Sequence, residues 1–472
     1  CKDTNVYDHP RLVATIQQTR RLNEFSGDRG DEIVLYSPAG YTVERLMIVG
    51  LGESVSLQPE MLRAAIGRAV ARAIRQKLST VAIAVPRPVE GGLGSEALLD
   101  SMLEGACLAN HRFDRYMSDK KHAAVKQISF VVPEKTATGQ RRVMSRTETI
   151  CSGTLLARDW VNTPANDKTP RQFANNVTRL TAKTGLKAKL LGKKELVRQK
   201  FGSILAVAAG SRSEPVLLVL EHAPAKAKKT IALVGKGVTF DSGGLNLKTT
   251  ARINQMKADM AGAAAVAAAM LCLGRLKPTV RVVGVMPLVE NMISGQATRP
   301  GDIIRTYSGK TVEVGNTDAE GRLILADAIS FAIKKYRPEA LIDVATLTGA
   351  CVVALGENLA GLFTPDDPLA ETILESAQQT HERCWRMPLT EDYRDLLKSD
   401  VADINNMPRH RFGAAITAGL FLSEFATGTR WAHVDIAGPA FHKKASAYCG
   451  PGGTGFGVRL LCEVVRRLEK II

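Results

Sequence analysis

The sequence predicts an α/β protein built from two domains. Three observations carry that expectation. At 472 residues the chain exceeds what one ordinary core organises. Short apolar runs alternate with stretches of helical spacing from end to end, the pattern of a sheet covered by helices. Residues 134–142 interrupt the alternation with Lys, Thr, Gly and Gln and read as a loop between domains. The expected division is an N-terminal α/β domain over 1–142, a linker helix and turn over 143–166, and a larger domain over 167–472.

In the first part, 45–52 reads as a buried strand ending in a glycine turn. Residues 59–76 place Leu62, Ile66, Val70 and Ile74 on one helical face. Strands are expected at 81–85 and 127–132, in a parallel sheet. A helix from about 145 to 161 ends in Asn162-Thr163-Pro164-Ala165-Asn166 and bridges the domains. In the second part, strands are expected at 188–191, 216–220, 230–234, 280–286 and 340–344. Helices are expected at 253–273 and 323–336. No repeat or low-complexity tract is visible.

Hydrophobic content of 45% and charge of 23% fit a globular, soluble chain. The most apolar stretch, 261–273, is mostly Ala and Gly and too short to span a bilayer. The net charge is +16, which fits a solvated basic surface and keeps DNA or another polyanion as a candidate partner. The basic runs at 120–122, 226–229 and 466–467 are short, scattered and free of interleaved aromatics. The eight cysteines form no CxxC pair and indicate a reducing compartment. Cys151, Cys272, Cys351 and Cys462 read as core residues. A start at Cys1 suggests a processed or truncated product; Asp3, Asp8 and Glu24 are unlike a transit peptide.

Two clusters carry chemistry. One is Gly315-Asn316-Thr317-Asp318-Ala319-Glu320-Gly321-Arg322-Leu323; the other runs from Lys236 through Asp241-Ser242-Gly243-Gly244 to Lys248 and Asp259. Asp318 and Glu320 are expected on a loop, and Asp259 inside a helix. Taken singly, Asp259 reads equally as a surface residue, Lys248 as a solvated lysine, and Asp318 with Glu320 as a turn or a Mg²⁺ or phosphate loop. Together, four carboxylates that converge would repel and some would protonate. Two divalent ions relieve that repulsion, bridged by hard oxygen ligands. A lysine among them either ligates as a neutral amine or stays charged and meets developing negative charge.

These residues resemble the leucyl aminopeptidases, also called cytosol aminopeptidases. The octapeptide from Asn316 to Leu323 is complete, and 234–244 matches the metal loop of that family. Further likeness lies at 161–166, 345–350 and 431–438. The resemblance implies a smaller macro-like N-terminal α/β domain and a C-terminal α/β/α sandwich whose mixed central sheet carries a dinuclear metal site. It implies one ion held by Lys236, Asp241, Asp259 and Glu320, and another by Asp241, Asp318 and Glu320. Lys248 would polarise the scissile carbonyl and Arg322 would hold a bicarbonate that serves as general base. Leu347 and Gly349 would offer backbone hydrogen bonds, and Met256, Thr346, Gly349, Ala437 and Ala440 would line the side-chain pocket.

The implied activity is release of N-terminal residues, Leu and similar, from peptides with a free N-terminus by a two-metal-activated hydroxide. Zn²⁺ and Mn²⁺ suit the donors, as do Mg²⁺ and Co²⁺. A homohexamer of two stacked trimers is implied, in the cytoplasm, or in mitochondria after loss of a targeting segment. Departures fall at Leu245-Asn246-Leu247, Pro439 and Phe441. The rivals are an aminopeptidase that also binds DNA, a catalytically silent homologue, and a metallophosphatase. The last lacks the histidines such sites use: His433 is the only one near a motif and reads as structural.

Overall fold

A computed structural model describes residues 10–21, 25–120, 123–132, 137–408, 410 and 412–471. The chain divides into two compact units, Cys1–Cys151 with Lys444–Gly450, and Ser152–Lys443 with Pro451–Ile472. The division falls inside a helix rather than at a loop.

The first unit contains α1 (Pro10–Arg21), β1 (Glu32–Tyr36), β2 (Arg45–Val49), α2 (Pro59–Arg75), β3 (Thr80–Ala84), α3 (Ser95–Ala109) and β4 (Gln127–Val131). Strands β3 and β4 run parallel, as expected of a pair joined through a helix. Strands β1 and β2 run antiparallel, which corrects the expectation of a parallel sheet here. The link 37–44, with Pro38 and Gly40, is too short for the crossover a parallel pair needs. Helix α2 starts with Pro59 at its first turn and buries Leu62, Ile66 and Val70. It packs against Leu98, Leu99 and Met102 of α3, and buried Arg63 and Glu104 form an ion pair between the two helices.

The helix α4 (Ala137–Asn162) begins before the expected start near 145, and 134–136 lie outside the described residues. The described part of that polar run is helical, with Arg141 and Arg142 exposed and Gln140 buried; lone Gly139 does not break a helix.

The second unit continues with α5 (Pro170–Thr181), β5 (Lys187–Gly192), α6 (Lys193–Arg198), α7 (Gly202–Ala208), β6 (Val216–His222), β7 (Thr230–Gly235), β8 (Gly237–Asp241), α8 (Thr250–Ile253) and α9 (Ala261–Leu276). Then follow β9 (Arg281–Asn291), β10 (Ile303–Arg305), β11 (Thr311–Glu313), α10 (Glu320–Tyr336), β12 (Ala340–Ala345), α11 (Gly349–Leu355), β13 (Ala360–Phe363) and α12 (Asp367–Thr380). The chain closes with β14 (Cys384–Arg386), β15 (Ile404–Asn405), α13 (Ala414–Ser423), β16 (Arg430–Asp435) and α14 (Val458–Ile471).

Among the described residues, nine strands form a mixed sheet in the order β14-β13-β16-β12-β7-β9-β6-β5, with β8 also on β9. The central strands β16, β12, β7 and β9 are parallel; β6 and β5 extend the sheet antiparallel. Alternation sorts the faces. Ala232, Val234, Val283 and Val285 join one core with Leu323, Ile324 and Phe331 of α10 and Phe421 of α13. Gly284 points the other way, where a Cβ would sit 2.7 Å from Met270 of α9. Helices therefore cover both faces, giving an α/β/α sandwich.

The run Met256–Leu276 is long and apolar enough by composition to cross a membrane, contrary to the length expected from sequence. Of its most apolar 18-residue window, 89% is buried inside the protein, so its hydrophobicity is spent on the sheet. The expected helix over 253–273 is in fact broken into α8, a 3₁₀ turn Met256–Ala258 and α9. All seven described cysteines are free thiols, and those expected in the core are buried, Cys384 and Cys449 with them.

Candidate metal centre

The site gathers at the carboxyl edge of the parallel strands, where open α/β sheets bind ligands. Strands β7 and β8 run successively along β9 and are interrupted at Lys236. The Lys236 backbone instead donates to Val344 O and accepts from Ala263 N. That break lets a lysine leave an otherwise apolar strand. Its Nζ lies 2.8 Å from Asp259 Oδ1, 2.9 Å from Glu320 Oε1 and 2.8 Å from the Thr346 carbonyl. Gly321 is required beside it: a Cβ there would sit 2.5 Å from Lys236 Cε.

Asp241 ends β8. Its Oδ1 accepts from Gly243 N and from Asn291 Nδ2 at 2.8 and 2.9 Å. Lys248 bridges Asp241 Oδ2 at 2.7 Å and Asp318 Oδ1 at 2.5 Å. Ligand oxygens of Asp241, Asp259 and Glu320 lie within 4.8 Å of one another. The five expected metal-binding residues thus fall into two contact groups, Lys236 with Asp259 and Glu320, and Asp241 with Asp318 through Lys248, which the 4.8 Å spacing of Asp241, Asp259 and Glu320 brings together.

Two placements differ from expectation. Asp259 is not inside a helix; it caps the 3₁₀ turn ahead of α9, so its carboxylate is free to face Lys236 and Thr346. Glu320 is not on a loop; it is the first residue of α10. A carboxylate suits that end of the helix dipole, and helical spacing then places Arg322 in the same first turn.

The electrostatics are severe. Burial, reinforced by Glu320, raises the Asp241 carboxyl. Burial raises the Asp259 carboxyl well above its ordinary range; Lys236 opposes the shift, and Glu320 and Asp241 add to it. Burial works against the charge of Lys236, yet Asp259, Glu320 and Asp241 hold the ammonium above its ordinary range. Buried Oδ2 of Asp259 and Oε2 of Glu320 have no hydrogen-bond partner among the described residues. Orphaned carboxylate oxygens in a cluster of like charges fit divalent cations and little else.

Arg322 is buried; its Nη1 donates to the Asn406 carbonyl at 2.8 Å and its Nε has no partner among the described residues. Burial pushes its guanidinium down to about 10. Thr346 Oγ1 donates to Asp259 Oδ1 at 2.8 Å. The Leu347 N–H is already given to Asp435 Oδ1 at 3.1 Å, as is that of Ala437, which leaves the Leu347 carbonyl for a ligand. Gly349 opens α11 and faces open space: a Cβ there meets nothing within 4 Å. Met256 starts the turn that ends at Asp259. Ala440 is buried, its N–H on Ile436 O.

Sequence reasoning missed three positioning residues. Asn291 donates to Asp241 and to the Thr317 carbonyl. Asn406 accepts from Gly315 N and Asn316 N and donates to Asn316 O and Ala319 O, holding the whole Asp318 loop. Asn246, in a segment that departs from the family pattern, exchanges bonds with the Thr317 backbone and hydroxyl. None carries a local signal; only the turn-prone pair Asn405-Asn406 hinted at one. His433 is structural, as expected: it bonds buried Asp343 at 2.6 Å, beside Trp431.

The catalytic-domain model of the cytosol aminopeptidase family matches residues 155–462, and the N-terminal-domain model of the same family matches 3–120. The chain belongs to the cytosol aminopeptidase family. A "Probable cytosol aminopeptidase" of Chlorobium luteolum is 44% identical, covering 97% of this chain and 93% of its own. One of Nitratidesulfovibrio vulgaris is 42% identical, covering 94% and 89%. A solved structure, "Bottromycin maturation enzyme BotP in complex with Mn", superposes with a TM-score of 0.88 at 38% identity over 96% of both chains. Cytosol aminopeptidases are metal-dependent hydrolases, and the buried acidic cluster of this member is the part of the fold that answers to that description.

Proposed function

We propose that this chain releases amino-terminal residues, Leu and similar ones preferred, from peptides with a free N-terminus, using two divalent ions. The observation that carries the reading is the convergence of Asp241, Asp259 and Glu320 within 4.8 Å, with orphaned buried oxygens on two of them. Lys236, Asp241, Asp259 and Glu320 would hold one ion, and Asp241, Asp318 and Glu320 the other. When bound, such ions supply Lewis acidity and lower the pKa of water.

The protein's own groups do the rest. Lys248 is the less enclosed of the two amines, 14% exposed against 3% for Lys236. It faces outward from Asp241 and Asp318 and would meet the oxygen of the scissile carbonyl as charge develops there. The Leu347 carbonyl and Gly349 N–H would orient the peptide backbone. Met256, Thr346, Ala437 and Ala440 would contact the first side chain, a set of small or flexible residues that suits an unbranched or γ-branched apolar group. Arg322, buried with a free Nε, would hold a small anion such as bicarbonate within reach of the proton being transferred.

Hydrolysis of Leu-aminomethylcoumarin should stop on chelation and return on adding back Mn²⁺ or Zn²⁺. Cleavage that continues undiminished in excess chelator would remove the metal from the mechanism.

A further inference from the structure

Lys168 is buried, 2% exposed, and no carboxylate lies in ion-pair reach of it among the described residues. Its Nζ donates to the Trp160 carbonyl at 2.6 Å and to the Lys257 carbonyl at 2.8 Å, with Val161 O at 3.4 Å. Lys257 returns the connection, donating from Nζ to Asn162 O at 3.0 Å. The two amines therefore cover the last three carbonyls of α4, groups with no partner inside their own helix and at the negative end of its dipole.

Burial drives the Lys168 amine well below its ordinary range, and Lys257 adds repulsion. A lysine kept in such a place without an acid is expensive. A helix C-terminus alone is satisfied more cheaply by water or a glycine cap. The unusual partner is the Lys257 carbonyl, because Lys257 sits in the 3₁₀ turn Met256–Ala258 that Asp259 caps. Loss of that tether would free the turn, and with it the direction of the Asp259 carboxylate. The neighbouring α8 is exposed at Thr250, Ala251 and Arg252.

We propose that Lys168, with Lys257, is a positioning clamp that fixes the Met256–Ala258 turn against the end of α4 and so presets Asp259 for metal binding. The clamp rests on the metal-site reading above. It acts through Asp259 and touches neither metal nor substrate.

The test is Mn²⁺ titration by calorimetry of the full-length wild-type protein and of Lys168→Met, which keeps the stem length and removes every donor. Metal affinity in the variant should fall by roughly tenfold, the lower end for lost supporting contacts around a ligand. Hydrolysis should recover towards the wild-type rate as Mn²⁺ is raised. Lys257→Met should shift affinity the same way by less, since it leaves the Lys168 tether to the turn in place. A Lys168→Met protein that melts earlier but binds Mn²⁺ with wild-type affinity has lost only packing, and overturns the clamp. If that variant does not fold, unchanged Mn²⁺ affinity in Lys257→Met overturns it instead. Wild-type protein that takes up no Mn²⁺ overturns the metal site and the clamp together.

Discussion

Asp259 and Asp327 are both buried aspartates of the catalytic unit, and they were built for opposite ends. Asp327 sits mid-way along α10 with its carboxylate fully engaged by backbone. Oδ2 accepts from Ser203 N and Ile204 N at 2.9 and 3.0 Å, and Oδ1 accepts from Tyr307 N at 2.7 Å. It ties the start of α7 and the strand-to-turn segment after β10 to α10. Asp259 has Lys236 and Thr346 on one oxygen and, among the described residues, no hydrogen-bond partner on the other. Two further carboxylates stand nearby. Burial raises both acids, Asp327 to about 7 against the pull of its three N–H donors and Asp259 well above its ordinary range, with Lys236 opposing and Glu320 and Asp241 adding. Burial alone therefore does not mark a ligand. Lone pairs left over, in the company of like charge, do.

The largest effect expected from this contrast is on activity. Lys248→Ala or Asp318→Asn should leave a folded protein whose rate of leucyl-amide hydrolysis falls by about 10²–10³-fold or more, the scale of losing one preorganised electrostatic group. Either variant cleaving at the wild-type rate would unseat the assigned roles.

Asp327→Ala should do the reverse. It leaves three buried N–H groups unpaired, each worth roughly 1–3 kcal/mol, and so should cost several kcal/mol in denaturant unfolding. Activity per folded molecule should persist. The pH dependence has a definite sign. The folded pKa of about 7 exceeds the unfolded value near 4, so the native state holds a proton that the unfolded state has released. The contribution of Asp327 to stability is complete below about pH 4 and is lost as pH rises through 7. Asp327→Asn, fixed in the neutral form, should flatten that slope; an identical slope in the variant would mean that another group is responsible.

Gly321→Ala is the finest probe. The added Cβ would press on Lys236 Cε, at 2.5 Å, and Nζ, at 2.8 Å. Alanine favours a helix by about 1 kcal/mol over glycine, so stability should hold or rise while Mn²⁺ affinity falls by roughly tenfold or more. Equal affinity in the two proteins would show that Lys236 has room to move.

Much of this was readable beforehand. The strands β6, β7 and β12 fall where apolar runs predicted them, because a strand buried on both faces needs continuous Val, Leu, Ile and Ala; β5, at the sheet edge, falls where predicted on a shorter run. Helix ends were less legible. The break at Met256–Ala258 lies within a stretch whose composition reads as one long helix, and the contacts of Asp259 with Lys236 and Thr346 come from distant segments. The start of α4 was hidden by polarity. Strand β1 was not expected, and with it the short link to β2 that makes their pairing antiparallel went unread.

The chain's own order of residues determined the α/β class, the two-part organisation, the acidic residues and lysines of the site, and membership of a metallo-aminopeptidase family. Those are encoded locally, in periodicity and in motifs a few residues long. Only the tertiary structure decided which oxygens remain unpartnered, that Asn406 carries the Asp318 loop, and that Lys168 reaches a carbonyl 89 residues away. A buried hydrogen bond is chosen by whatever groups the packed core leaves without water. That choice is made across the whole fold, between segments that share no pattern along the chain.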